Sequence, residues 1–184
     1  MFRISGSMMI VELIGLKKSG KTTTAEALIR EFVARGFKVG AVKSMRVSKF
    51  TVDTKGKDTW RHKEAGADLV ISLSEDELAY IERRGSPPNL DDALSYVPDD
   101  TDILICEGVA DDRENVVRIV VSREFELLQD TFEIRGIRDG VIAITGIAAN
   151  SARSHDEYPV FNCTVADEVK QLADLILERA GEQP

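Results

Sequence analysis

The stretch ELIGLKKSGKTTTAEALIREF, Glu12 to Phe32, contains a complete G-x-x-x-x-G-K-[ST] pattern running from Gly15 to Thr22. The flanks are what such a loop requires. Before it, MMIVELIG is an apolar run of strand length, as expected of a strand buried on both faces. After it, Ala25, Leu28, Ile29, Phe32 and Val33 recur at helical spacing, and Gly36 supplies a stop. Strand, glycine loop and helix follow in the order that cradles a phosphate.

The residue types explain the chemistry. Gly15 and Gly20 let the backbone bend so that several N–H groups converge on one anion. The following helix N-terminus adds its positive dipole end. The expected phosphate-binding set is Gly15, Leu16, Lys17, Lys18, Ser19, Gly20, Lys21, Thr22 and Thr23. Lys21 is expected on the β- and γ-phosphates and the Thr22 hydroxyl on Mg²⁺. A second acidic element is needed near the metal. DILICEG, residues 102–108, is an apolar strand that ends in Glu107 and a glycine. Ligands of open α/β sheets sit at the carboxyl ends of strands, so Glu107 is expected beside Mg²⁺ or an attacking water. Lys21 and Glu107 are therefore the candidate catalytic pair.

Composition narrows the partners. The 184 residues suit one domain, expected over 8–184, with residues 1–7 as a leader or disordered start. Net charge is −8, which argues against nucleic acid, and no apolar run reaches the roughly 20 residues of a membrane span. The charge is uneven: residues 1–63 hold 14 Lys/Arg against 5 Asp/Glu, and residues 64–184 hold 10 against 27. The basic third carries the phosphate loop, which favours a small polyanionic ligand. Cys106 and Cys163 stand in no metal or redox spacing, so reduced thiols in a cytoplasm are expected.

Further along, FKVGAVKSM reads as a second strand with Lys43 near its end. The segment VDTKGKDTWRHKEAGA, residues 52–67, reads as a basic turn running into a short helix capped by Asp58 or Thr59 and closed by Gly66. Lys57 and Arg61 flank that helix start; it suits a phosphate or pterin-like anion, or is a plain capped helix with a solvated basic face. DLVISLS, ELAYIERR, VVRIVVS and VIAITG read as strands, NLDDALSYV as a short helix, and residues from Thr164 as a last helix with a capping-box-like start at Thr164 and Asp167. The alternation gives an α/β, three-layer P-loop NTPase fold, with a mostly parallel sheet and some antiparallel edge strands. Ser154, His155 and Asp156 are adjacent in a loop and cannot form a spatial relay. His62 reads as a surface residue. The guanine-reading N-K-x-D is absent, and Asn150, after the VIAITG strand, is a weak candidate for base contact. A small-molecule kinase using ATP would add a lid of arginines, for which Arg83 with Arg84, or Arg113 with Arg118, are the candidates.

GLKKSGKTT, Lys43, DTKGKDTWRHKEAGAD and DILICEG, in this order, resemble the molybdopterin-guanine dinucleotide biosynthesis protein B (MobB) family over nearly the whole chain. The segment Gly56–Thr59 running into AGA is the distinguishing part. The resemblance implies a GTP-binding, usually dimeric P-loop protein with weak GTPase activity. It would assist a guanylyltransferase partner that attaches GMP to molybdopterin. Molybdopterin itself becomes a candidate second ligand, and Asp53, Lys57 and Asp58 fall in the family's second motif at the nucleotide site. Two departures are visible: the family's histidine-rich run after the second strand is SMRVSKF here, and its proline before Gly56 is Lys55. The alternatives are the ATP-using kinase and a non-catalytic nucleotide-binding regulator.

Overall fold

The computed structural model describes residues 8–45, 47, 50–109, 113, 116–137, 139–151 and 154–181. The leader expected over residues 1–7, and parts of the SMRVSKF segment, lie outside them. The described elements are β1 (Met9–Ile14), α1 (Lys21–Ala34), β2 (Val39–Lys43), α2 (Asp58–Glu64), β3 (Leu69–Leu73), β4 (Leu78–Glu82), α3 (Leu90–Leu94), β5 (Ile103–Glu107), β6 (Val116–Val121), α4 (Leu128–Arg135), β7 (Val141–Thr145) and α5 (Ala166–Gly181). By internal contacts the chain forms two compact units, Met1–Ser44 with Tyr96–Pro184, and Met45–Ser95.

The first unit is built on a five-stranded parallel sheet in the order β2-β5-β1-β6-β7. Its central strands β1, β5 and β6 are buried at every position. That explains why they read as unbroken apolar runs and not as alternating ones. Strand parity assigns the two faces. Met9, Val11 and Leu13 of β1 and Val117, Ile119 and Val121 of β6 join Leu28 and Phe32 of α1 and Leu172 and Ile176 of α5 in one core. On the opposite face Val120 and Ile144 pack with Leu128 of α4, flanked by Phe125 and Phe132. The unit therefore has three layers, α1 with α5, the sheet, and α4.

Helix α1 ends where its sequence asks. Gly36, at φ 88°, follows the Arg35 C-cap of α1. The start of α5 differs in detail from the expected Thr164–Asp167 capping pair. The Thr164 hydroxyl donates to Asn162 Oδ1 at 2.7 Å, and Glu168 accepts from the Asn162 N–H at 2.7 Å. Asn162 is 7% exposed and organises the turn from inside it, which residue spacing alone does not reveal.

The second unit contains α2, α3 and an antiparallel hairpin, β3 with β4, paired from Leu69↔Glu82 to Leu73↔Leu78. The antiparallel content thus forms a separate two-stranded sheet. The physical reason is the short connection: Ser74 and Glu77 close it by mutual hydrogen bonds, and a tight turn of this kind joins only antiparallel neighbours. Helix α2 starts one residue after the Lys57 N-cap, and α3 carries a reciprocal Asn89–Asp92 capping box.

Candidate functional site

The carboxyl ends of β1, β5, β6 and β7 surround the loop between β1 and α1. Gly15 leaves β1 against β6 so closely that an added Cβ would stand 2.1 Å from the Val121 carbonyl oxygen and 2.8 Å from Ser19 Oγ. Only glycine fits there. Lys18 sits at φ 60°, a left-handed conformation rare for a residue with a side chain. Alternation of right- and left-handed residues turns successive N–H groups toward one concavity, and left-handed Lys18 and Gly20 give the loop the backbone turn that such a concavity needs. Spacing predicts the loop but not that Lys18, among its non-glycine residues, carries the strain.

Within the loop, Ser19 is buried while Lys17 and Lys18 are exposed. Lys21, the first residue of α1, folds back over the loop. Its Nζ donates to Gly15 O at 3.1 Å, to Leu16 O, and to Ser19 Oγ at 3.4 Å. Partial burial pushes the Lys21 ammonium below the ordinary lysine value, the neighbouring Arg135 adds to this, and Glu107 works against it. A cation held partly desolvated beside a second cation is one that an arriving phosphate would relieve.

Glu107 closes β5 with its side chain on the α1 face, because residues 103, 105 and 107 share parity. It is 7% exposed. Thr22 Oγ1 donates to Glu107 Oε1 at 3.0 Å and Oε2 at 3.2 Å. Lys43, directly opposite Glu107 in the β2–β5 register, forms an ion pair with the same carboxylate. The structure therefore brings together Gly15 to Thr22, Glu107 and Lys43.

Thr23, the next residue of α1, lines a cleft of about 160 Å³ with Gly20, Gly146, Asn150, Asn162 and Thr164. Backbone bonds tie this region to the phosphate loop: Ile147 N–H donates to Ser19 O at 3.1 Å, and Ala148 N–H to Ser122 O at 3.1 Å. Asn150 thus lies on the rim of a cleft beside the loop, whereas Gly146, Asn162 and Thr164 carried no signal in the sequence beyond ordinary turn and cap chemistry.

Asp53, Lys57 and Asp58 lie in the second unit. Asp53, with its side chain 5% exposed, accepts from Thr59 Oγ1 at 2.8 Å and stands 3.7 Å from Lys63 Nζ. Lys57 is the exposed N-cap of α2, and Asp58 pairs with Arg61 at 3.5 Å. Trp60 carries Lys55 6.0 Å from its ring centroid. His62 is exposed, as expected. Ser154, His155 and Asp156 make no relay: His155 stacks between Phe125 and Tyr158 at centroid distances of 5.8 and 6.0 Å.

Three of the arginines considered for a lid, Arg83, Arg84 and Arg118, have side chains engaged elsewhere. Arg83 donates to Lys63 O at 2.6 Å, and Arg84 bonds Glu82 and Asp92. Arg118, inside β6, pairs with buried Glu12 at 3.2 Å and donates to Arg113 O at 2.7 Å. Sequence reasoning overlooked Arg135 at the end of α4, whose Nη2 reaches Gly15 O at 2.8 Å. Among the described residues no cluster of three or more His, Cys, Asp or Glu could hold a metal, and no helix is long and apolar enough to cross a membrane.

Comparison with known proteins gives a consistent result. The model of the family MobB, described as molybdopterin guanine dinucleotide synthesis protein B, matches residues 10–145. A molybdopterin-guanine dinucleotide biosynthesis adapter protein of Haemophilus influenzae is 32% identical over 122 residues, 66% of this chain and 67% of its own. A Methanocaldococcus jannaschii relative named for the same adapter role is 32% identical over 120 residues, 64% of this chain but 48% of its own, so the chain spans about half of it. The crystal structure of Bacillus subtilis MobB shares the fold with a TM-score of 0.70, at 24% identity over 91% of this chain and 98% of that one.

Proposed function

The chain belongs to the MobB family, and from that premise we propose that it is a Mg²⁺–GTP-binding adapter in the attachment of GMP to molybdopterin, hydrolysing GTP slowly at most. The observation that carries the nucleotide site is the Thr22–Glu107 contact in front of a strained phosphate loop. Neighbouring ligands of an octahedral Mg²⁺, each at about 2.1 Å, stand about 3 Å apart. Thr22 Oγ1 and Glu107 Oε1 are already 3.0 Å apart, and a hydroxyl with a carboxylate is the hard oxygen set this cation prefers. With two protein ligands and Lys43 partly neutralising Glu107, the cation would depend on nucleotide phosphates for most of its coordination.

The triphosphate would lie in the nest of Gly15 to Thr22, with Lys21 over it. The guanine would enter the cleft beside Thr23, where Asn150, Asn162 and Thr164 offer both donors and acceptors. With N-K-x-D absent from the sequence, base selectivity is the point to measure. Titration calorimetry with Mg²⁺ should give clear preference for GTP over ATP, and Lys21→Ala should weaken GTP by at least about tenfold, or 1.4 kcal/mol. ATP preference would move the reading to a kinase, and an unaffected Lys21→Ala would remove the cradle.

Partner enzyme and second copy belong to the same proposal. The guanylyltransferase that makes the dinucleotide is the enzyme served, with molybdopterin as a candidate ligand of the second unit near Asp53, Lys57 and Asp58. A homodimer is supported by the β3–β4 hairpin, where Leu69, Ile71, Leu73, Leu78 and Tyr80 share one exposed face, Leu73 at 77% and Leu78 at 70% exposure. Contiguous apolar faces of this kind are uncommon on monomers. Sedimentation should show a dimer that Leu73→Asp dissociates; a monomeric parent protein would remove this part. Buried Cys106 and Cys163, neither in a disulfide, fit a reducing cytoplasm.

A further inference from the structure

Two cations converge on one carbonyl oxygen. Gly15 O, the first carbonyl of the phosphate loop, accepts both Lys21 Nζ at 3.1 Å and Arg135 Nη2 at 2.8 Å. Lys21 belongs to the loop's own helix. Arg135 comes from a different layer, as the last residue of α4, 120 positions along the chain. Its position is fixed: Gly136 ends α4 at once in the left-handed conformation, its N–H donating back to Glu133 O, and Thr131 one turn earlier is buried with its hydroxyl on Leu127 O at 2.7 Å.

Holding two like charges on one oxygen is costly unless an anion is meant to join them. A guanidinium offers five N–H donors in a planar fork, and one bond to Gly15 O leaves the fork oriented at the loop. Helix α4 packs on the sheet face opposite α1, so Arg135 approaches the loop from the other side of the sheet than Thr22 and Glu107, the proposed metal ligands, which come from α1 and β5. An anion in the nest would thus be met by the loop N–H groups, by Lys21, and by a cation from across the sheet.

We propose that Arg135 is a phosphate-binding arginine supplied in cis by α4, contacting the terminal phosphate of a bound nucleoside triphosphate. The inference rests on the nucleotide reading of the loop. It makes Arg135 sensitive to the number of phosphates, because a diphosphate ends before the position that the arginine guards. An arginine that merely buttressed Gly15 would support diphosphate and triphosphate alike.

The test is calorimetric titration of GDP and of the slowly hydrolysed analogue β,γ-imido-GTP, with Mg²⁺, into wild-type protein, Lys21→Ala, Arg135→Ala and Arg135→Lys. Circular dichroism melts identify any variant that fails to fold, and Arg135→Lys keeps the stem and charge if Arg135→Ala does so. The expected result is a loss of at least fivefold for the triphosphate analogue in Arg135→Ala, well beyond any loss for GDP, with part of the triphosphate loss recovered in Arg135→Lys. Equal losses for both ligands would make Arg135 a structural brace and overturn the proposal. Wild-type affinities in the Arg135 variants, with binding lost in Lys21→Ala, would overturn it and leave the phosphate loop standing. Wild-type protein that binds neither ligand would remove the nucleotide reading and this inference with it.

Discussion

The Thr22 hydroxyl rests on both oxygens of Glu107, at 3.0 and 3.2 Å, across 85 residues of sequence. Thr22 is placed by the start of α1, and Glu107 by the last position of β5, one strand over from the loop. The contact follows from the fold: the parallel sheet delivers every strand end to the same edge, and parity turns residue 107 toward α1. In Glu107→Gln the pair keeps its shape and loses its charge. GTP affinity without Mg²⁺ should change little, while the gain on adding Mg²⁺ should fall by about tenfold or more. Calorimetry with and without a chelator measures both. The same Mg²⁺ gain in the variant would exclude Glu107 from the metal.

Gly146 makes the cleft and the phosphate loop one body. A Cβ there would stand 2.5 Å from Ser122 O and 2.6 Å from Ser19 O, both backbone atoms, at φ 103°. Neither oxygen can retreat without moving β6 or the loop. Gly146→Ala should cost about 2–4 kcal/mol from left-handed strain and displacement together. At about 2–4 °C per kcal/mol for a chain of this size, melting should fall by roughly 4–16 °C. Because Ile147 N–H holds Ser19 O, nucleotide affinity should fall with it. A variant with unchanged melting would mean that the loop yields at no cost.

Much of this was written in the sequence, for identifiable reasons. The strand, loop and helix around Gly15 to Thr22 were legible because the pattern fixes residue types at fixed spacing, and β1, β5 and β6 because burial on both faces leaves unbroken apolar runs. The separate hairpin was harder to place. Leu69, Ile71 and Leu73 look like core in sequence and are exposed in the fold, so apolarity alone assigned them to the main sheet's edge. No Pro- or Gly-rich linker marks residues 45 or 95, so the division into two units was invisible. Arg135 stayed hidden for another reason: α4 is a weakly patterned helix of eight residues, and what brings its last side chain to Gly15 is the layer packing of Leu128 on Val120 and Ile144. Arg118, named with Arg113 as a candidate for a kinase lid, is instead paired inside the sheet with Glu12, a partner 106 positions away that the sequence does not reveal.

That buried pair has a stability consequence. Arg118 and Glu12 have side-chain exposures of 5% and 0%, and Arg118 also meets Asp139 Oδ1 at 3.2 Å. Removing one partner of a buried pair leaves a costly charge, whereas replacing both with apolar groups of similar volume is often near neutral. Arg118→Met should therefore destabilise by about 3–5 kcal/mol, and Glu12→Leu with Arg118→Met should recover a large part of the loss. Urea unfolding of the wild type, Glu12→Leu, Arg118→Met and the double variant decides it. A double variant as unstable as the sum of its singles would mean the pair does not act as a unit.

Cys163 offers a chemical probe of the cleft. It is 9% exposed, sits 3.1 Å from Thr145 Oγ1, and lines the space beside Thr23. Burial raises its thiol above the ordinary 9.0, outweighing the Thr145 and Thr24 hydroxyls that favour the thiolate. The sign follows directly. The folded thiol keeps its proton longer than the unfolded one, so this group's contribution to stability is intact below pH 9.0 and is lost as pH rises through 9.0 toward the folded value. Alkylation needs the thiolate, so in folded protein Cys163 should react far more slowly than a free thiol at pH 8, with a midpoint on the alkaline side of 9.0. Cys106 is 0% exposed and should stay unreactive until unfolding. A base bound against Asn150 and Asn162 covers the approach to Cys163, so GTP should slow its alkylation further while inorganic triphosphate, which fills only the loop, should not. Mass spectrometry of iodoacetamide-treated protein reads each cysteine separately. Equal protection by GTP and triphosphate would place the base outside this cleft.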